Sequence, residues 1–143
     1  MIQEIINKDQ LLGIIIRNSY CKEGVSFCTP ADFSQQLAYM KHSKGKIIPP
    51  HVHNLVKREV FFTKEVLFIK KGKLRVDFYD DECKYLESTI LEPGDVILLA
   101  NGGHGFEVLE EIEMIEVKQG PYAGDQDKTR FDGIPISEVI IKD

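Results

Sequence analysis

The chain has little of what marks a membrane or secreted protein. Its longest apolar runs, Leu11–Ile16 and Val96–Ala100, have the length of a strand, whereas a helix that crosses a bilayer needs about 20 apolar residues. The first residues, Met1–Glu4, lack the basic start and apolar stretch of a signal peptide. We therefore expect a cytoplasmic protein without a membrane partner.

Cysteine is scarce, and there is no excess of positive charge. Cys21, Cys28 and Cys83 are odd in number and lack the spacing of zinc ligands, which argues against a disulfide framework. The net charge of -5 disfavours binding to a phosphate backbone, so we expect no nucleic-acid partner.

Several common catalytic signatures are also missing. The sequence has no Walker-type phosphate loop, no dinucleotide fingerprint and no Gly-x-Ser-x-Gly elbow. What it does have is 143 residues, of which 43% are hydrophobic. That is enough for one domain with its own apolar core.

From residue 45 onward, short apolar or alternating runs are separated by turn residues such as Lys71-Gly72 and Glu92–Asp95. The predicted strands are Val66–Lys70, Leu74–Phe78, Tyr85–Leu91, Val96–Ala100, Phe106–Leu109 and Glu113–Gln119. This spacing predicts an all-β sandwich or closed barrel with little helix. The predicted core residues are Leu67, Ile69, Val76, Phe78, Ile97, Leu99, Ile115 and Val117.

The whole chain is predicted to form a single domain in three parts. Residues 1–44 would supply N-terminal strands, including Leu11–Arg17, that pack on the barrel. Residues 45–119 would form the barrel core. Residues 120–143 would be an irregular tail, with Ile136–Ile141 as a possible added strand.

The histidines carry the strongest chemical signal. In a strand, His51 and His53 project to the same face while the residue between them projects away. With Glu65 and the later His104 they supply three imidazoles and one carboxylate, ligands that suit a divalent Fe, Mn, Ni, Zn or Co ion. Glu59 is the rival carboxylate, because it lies nearer to His53 in the chain.

These residues resemble the metal-binding motifs of the cupin superfamily. Gly45 is followed by five residues and then His51-x-His53, and Glu65 is followed by six residues and then Gly72, as in the family's first motif. The insertion Asn54–Lys64 between the two halves is longer than usual. In the second motif, Ala100 replaces the usual Pro, His104 comes one residue early, and the closing Asn, expected near Val108, is absent.

The resemblance implies a single cupin-like jelly-roll barrel with His51, His53, Glu65 and His104 as metal ligands. It further implies a homodimer built on strand exchange or sheet packing. Arg58, Gln119, Tyr122 and Arg130 are candidates for contact with a small polar substrate, and Arg58, Asn101 and Gln119 for orienting the imidazoles.

The insertion Asn54–Lys64 is predicted to leave the barrel as a hairpin arm or lid. Phe61 and Phe62 would then need partner surfaces, because adjacent residues of a strand face opposite sides. We expect one of them to pack on the barrel and the other on a second subunit.

Three functions remain open. The first is a metal-dependent isomerase or epimerase of a sugar phosphate or nucleotide-linked sugar, in which a metal polarises a carbonyl or hydroxyl while a base moves a proton. The second is a non-haem iron dioxygenase, because the same ligands serve O₂ chemistry in this superfamily. The third is a non-catalytic module that binds a small molecule.

Overall fold

The computed structural model describes residues 1–142, and Asp143, the last residue of the predicted tail, lies outside the described residues. Strands make up 45% of the chain, and the described part contains no α-helix, which confirms the all-β fold class. The strands are β1 (Ile2–Asn7), β2 (Gln10–Ile16), β3 (Gly24–Phe27), β4 (Ala38–Lys41), β5 (Glu65–Tyr79), β6 (Tyr85–Leu91), β7 (Val96–Leu99) and β8 (Gly103–Lys118).

Six strands form one antiparallel sheet that curls strongly into a half-barrel. β5 is its central strand. One edge of β5 pairs first with β7 and then with β6, and the other edge pairs with β8 along its whole length. β1 and β2 join the same sheet through β7, so the N-terminal strands are part of the half-barrel. β3 and β4 form a separate hairpin.

β5 and β8 are longer than the sequence predicts. The expected turn at Lys71-Gly72 is wrong, because β5 continues through it and both flanks pair with β8. The register shifts between Ile69 and Leu74, where Gly72 adopts a φ of +83°. Extra residues in a bulge bend a strand and increase its twist. The irregularity therefore lets two long strands curl without ending either of them.

Gly72 also marks a close approach between β5 and β8. A Cβ at this position would overlap the Glu111 carbonyl oxygen, and the positive φ disfavours any L side chain. We expect Gly72→Ala to lower the free energy of unfolding by about 2 kcal/mol or more, through steric overlap and backbone strain. Urea denaturation measures this loss. Gly120→Ala is the control, because a Cβ there meets nothing within 4 Å.

The core lies on the inner face of the curl. β5 supplies Leu67, Ile69, Leu74, Val76 and Phe78, which pack against the residues Ile5, Leu12, Ile15, Leu91, Ile97 and Leu99. Six of the predicted core residues are therefore confirmed. The prediction is wrong for the other two, which lie on β8: Ile115 is 52% exposed and Val117 is 57% exposed.

The C-terminal tail packs on the outer face of the sheet. Phe131 contacts the Tyr79 ring edge-on at 5.0 Å, and the Ile134 N–H donates to the Tyr79 hydroxyl at 3.1 Å. The helical content consists of the 3₁₀ turns Gly124–Asp127 and Ile136–Glu138, and no helix among residues 1–142 is long and apolar enough to span a membrane. The predicted added strand at Ile136–Ile141 is reduced to one bridge between Ser88 and Ile141.

Residues 42–64, between β4 and β5, form a segment without strand pairing, which we call the arm. The predicted insertion Asn54–Lys64 is part of it and leaves the curled sheet uninterrupted. Phe61 and Phe62 are both exposed, so the expectation that one of them packs on the barrel is wrong for the single chain.

Candidate functional site

Two of the predicted metal ligands lie in direct contact. Glu65 begins β5 between Leu99 of β7 and Lys118 of β8, and it shares the core face with Leu67. His104, near the start of β8, lies opposite the core residue Phe78 and so projects to the same face. The His104 Nε2 atom is 3.2 Å from Glu65 Oε2. The curl of the sheet thus joins a carboxylate and an imidazole that are far apart in sequence.

The second oxygen of Glu65 has a cationic partner. Lys118 Nζ lies 3.0 Å from Glu65 Oε1 and 3.0 Å from Asp127 Oδ2, and the Thr63 hydroxyl donates to Asp127 Oδ1. Sequence reasoning missed Lys118, Asp127 and Thr63. The only local signal is that Lys118 is the one lysine of β8. Its place opposite Glu65 follows from the register of two strands, which no local pattern encodes.

These contacts shift the ionisation of each group. The hydrogen bond from His104, and then that from Lys118, lower the pKa of Glu65 to about 2, although burial opposes this. Asp127 and Glu65 raise the pKa of Lys118, and Thr63 and Lys118 lower the pKa of Asp127. At neutral pH the site therefore contains an ionised, buried carboxylate.

The low pKa of Glu65 predicts a pH dependence of stability. A carboxylate whose pKa falls from 4.5 to about 2 on folding stabilises the protein above pH 4.5, and this contribution is lost as the pH drops through that window. In metal-free protein we expect Glu65→Gln to lower the free energy of unfolding by about 2 kcal/mol at pH 7. The wild-type and variant curves, measured by urea denaturation, should converge toward pH 2. A constant difference from pH 7 to pH 2 would contradict the assignment.

The other two predicted ligands lie side by side on the arm. The His51 and His53 rings are 5.3 Å apart between centroids and meet edge-on, and both residues are exposed. His51 Nδ1 is 3.0 Å from the Pro49 carbonyl oxygen. Because a carbonyl only accepts, a neutral His51 imidazole that makes this contact carries its proton on Nδ1 and has the lone pair of Nε2 free. Such a tautomer is suited to metal ligation.

The four predicted ligands therefore form two pairs, one on the half-barrel and one on the arm. Among residues 1–142, no three His, Cys, Asp or Glu side chains are grouped so that they could hold a metal ion. Glu59, the rival carboxylate, is exposed on the arm and pairs with Lys57 at 3.5 Å. The four-ligand site stays a prediction, and it requires the arm to reach the Glu65–His104 pair.

The predicted substrate-binding residues are spread over three places. Arg58 lies on the arm and is exposed. Gln119 directly follows Lys118, and its backbone N–H donates to the Lys64 carbonyl at 3.0 Å, which holds the end of β8 beside the start of β5. Tyr122 and Arg130 are exposed in the tail. Of the four residues, Gln119 is thus the one that directly follows Lys118, the cationic partner of Glu65.

A second polar cluster lies on the outer face of the sheet, under the C-terminal tail. Arg75 binds both oxygens of Asp77, at 2.8 and 3.0 Å, and also pairs with Glu107. The Ser88 hydroxyl donates to Asp77, and Tyr85 lies 2.7 Å from Ser88. The hydrogen bonds to Asp77 raise the pKa of Arg75. The charged groups of this cluster bind one another, so we assign the cluster a structural role.

Two cavities lie away from the predicted ligands. The smaller, of about 200 Å³, is lined by Leu12 and Leu86 among others. The larger, of about 550 Å³, contains Arg17 and Lys73, but Arg17 pairs with Asp95 at 3.0 Å and Lys73 with Glu92 at 3.1 Å. Its cations are therefore already neutralised.

No protein-family model, curated protein or solved structure gives a significant match to this chain. The side chains of the molecule itself are therefore the basis for assigning a function.

Proposed function

We propose that the chain is a metal-dependent small-molecule enzyme with a cupin-type jelly-roll barrel, acting as an isomerase or epimerase on a sugar phosphate or nucleotide-linked sugar. One observation supports this above the others: Glu65 and His104 are in contact at 3.2 Å on the core-facing side of the sheet. Both were singled out as ligands by motif spacing, and their contact depends on the curl of the sheet.

The donor set fits a divalent metal ion. Glu65 is ionised at neutral pH, because its pKa is about 2, and it faces the imidazole of His104. In its neutral form, with Nδ1–H on the Pro49 carbonyl, His51 offers Nε2 as a ligand, and His53 lies beside it. A metal bound by these four residues would polarise a carbonyl or hydroxyl group of the substrate.

Lys118 supports an anionic substrate. It is held between Glu65 and Asp127, each at 3.0 Å. If Glu65 binds a metal ion, the metal neutralises its charge, and Asp127 remains as the carboxylate partner of Lys118. Its ammonium group can then bind a substrate phosphate at the edge of the site, which orients the sugar for proton transfer.

Elemental analysis of protein purified without chelator, followed by proton exchange, tests this function. A panel of keto-sugar phosphates and nucleotide-linked keto-sugars is incubated with the protein in D₂O, and deuterium incorporation beside the carbonyl is followed by NMR. We expect exchange that stops with chelator and returns with metal. Oxygen uptake with bound iron would favour a dioxygenase, and metal-dependent binding without exchange would favour a binding module.

A further inference from the structure

In the described part of the chain, β8 has an unpaired edge and exposed apolar side chains. Within residues 1–142 it pairs only with β5, so its other edge is free along 16 residues. Large apolar side chains are exposed on both of its faces: Phe106, Val108, Leu109, Met114, Ile115 and Val117. A long apolar edge strand with unpaired backbone groups is a template for another strand.

The arm, like β8, combines an unpaired backbone with exposed apolar side chains. Its backbone has no strand partner, and its exposed apolar residues are Ile47, Ile48, Val52, Leu55, Val56, Val60, Phe61 and Phe62. Its fully extended length, up to about 75 Å, far exceeds the radius of gyration of about 15 Å for a domain of this size. The arm can therefore reach beyond its own half-barrel.

We propose that the arm of one copy pairs with the free edge of β8 in a second copy, and that the exchange is reciprocal. This would bring His51 and His53 of one chain to Glu65 and His104 of the other. Each metal site would then be shared by two chains. The pairing itself is independent of the proposed function, whereas the shared metal site rests on it.

Charge complementarity favours the arm of a second copy as the segment that pairs with the free edge of β8. The arm contains four exposed lysine or arginine residues, a fifth, Lys64, that is buried, and one glutamate, whereas β8 contains five glutamates and one lysine. Several of those glutamates already pair with β5, for example Glu113 with Lys70 at 3.4 Å and Glu111 with Lys71 at 3.3 Å. These pairs are exposed and hence weak, so their carboxylates stay open to a second cation. Two β8 edges would repel each other, and so would two arms.

Backbone pairing and apolar contact would provide most of the affinity, as in other strand additions, and the charges would select the partner. Val108 and Phe106 continue the core-facing rows of Leu74 and Val76, so an added strand would extend the half-barrel on its open side. The same addition would cover the exposed aromatic pair Phe61 and Phe62 of the arm.

The first experiment measures the oligomeric state of the full chain by light scattering and sedimentation. We expect a dimer, and the double variant Lys57→Glu/Arg58→Glu should weaken it at least about tenfold through repulsion from the β8 glutamates. The control, Lys8→Glu/Lys22→Glu, makes the same charge change at exposed residues outside the arm. A monomeric wild type, or equal weakening by both double variants, would overturn the exchange.

The second experiment is metal complementation between two inactive chains. One carries His51→Ala/His53→Ala and the other Glu65→Gln/His104→Ala, with His104→Ala alone as a milder substitute if the latter folds poorly. Neither should bind metal by itself. After the two are mixed and exchanged, each heterodimer would hold one intact site, so metal should return to about a quarter of the wild-type amount per chain.

The two failures can be told apart. If mixing restores no metal although the wild type binds it, the four ligands come from one chain and the shared site is wrong. If the wild type binds no metal but is a dimer weakened only by the arm variant, the arm exchange stands and the proposed function fails.

Discussion

Replacing His104 with alanine is expected to lower the affinity for a divalent metal by at least about two orders of magnitude, because one of four ligands is lost and a coordination position opens. In the presence of chelator the variant should lose about 1–2 kcal/mol of stability, because the buried Glu65 carboxylate loses a hydrogen bond. It should stay folded, since the apolar core does not depend on an ion. Metal stoichiometry and melting temperature, measured on wild type and variant, check both parts.

His51→Ala should show the same loss of metal, and His42→Ala is the matched control. His42 is also exposed on the arm but lies outside the His51-x-His53 pair. Equal metal loss in all three variants would contradict the ligand assignment. If chelator unfolds the wild type, the ion is structural, and the proposed catalysis loses most of its support.

Asp77→Ala is expected to lower the free energy of unfolding by about 3 kcal/mol, because it leaves the buried guanidinium of Arg75 without its bidentate partner. Glu107 remains beside Arg75 but is more exposed, so it compensates only in part. The Ser88 hydroxyl also loses its acceptor. Chemical denaturation at neutral pH measures the effect.

The control for this prediction is Glu82→Ala, which breaks the exposed pair with Lys84 and should cost less than about 1 kcal/mol. A double variant, Arg75→Leu/Asp77→Leu, distinguishes the cost of an unpaired buried charge from the cost of lost packing. It should be more stable than Asp77→Ala, because no uncompensated charge remains buried; the Glu107 carboxylate that loses Arg75 is partly exposed to water. Equal stability of the two would show that the cluster acts through packing alone.

Much of the fold could be read from the sequence. Short apolar runs bounded by turn residues located β6, β7 and most of β2, and β2 and β7 are indeed buried along consecutive residues, as a strand covered on both faces requires. The same logic failed at Gly72, where it predicted a turn. A glycine between two apolar runs fits a bulge as well as a hairpin, and only the pairing of both flanks with β8 distinguishes them.

Burial on β8 also could not be predicted. Ile115 and Val117 alternate like core residues, yet they lie opposite Phe68 and Val66, on the face of β5 that points away from the core, and so face solvent in the single chain. A row of apolar side chains in the sequence predicts a surface that is shielded from water. It does not record whether the cover comes from the same chain or from another.

The sequence by itself determined the all-β class and most strand positions, because apolar runs and turn residues are local properties. Through the spacing of a family motif it also named Glu65 and His104 among four predicted ligands, and these two are in contact. Only the tertiary structure decided that Lys118 and Asp127 join them, that Arg75 and Asp77 are buried together, and that His51 and His53 lie apart on the arm. Those outcomes depend on the register and curl of strands that are distant in sequence, and each register is set by the packing of the whole sheet.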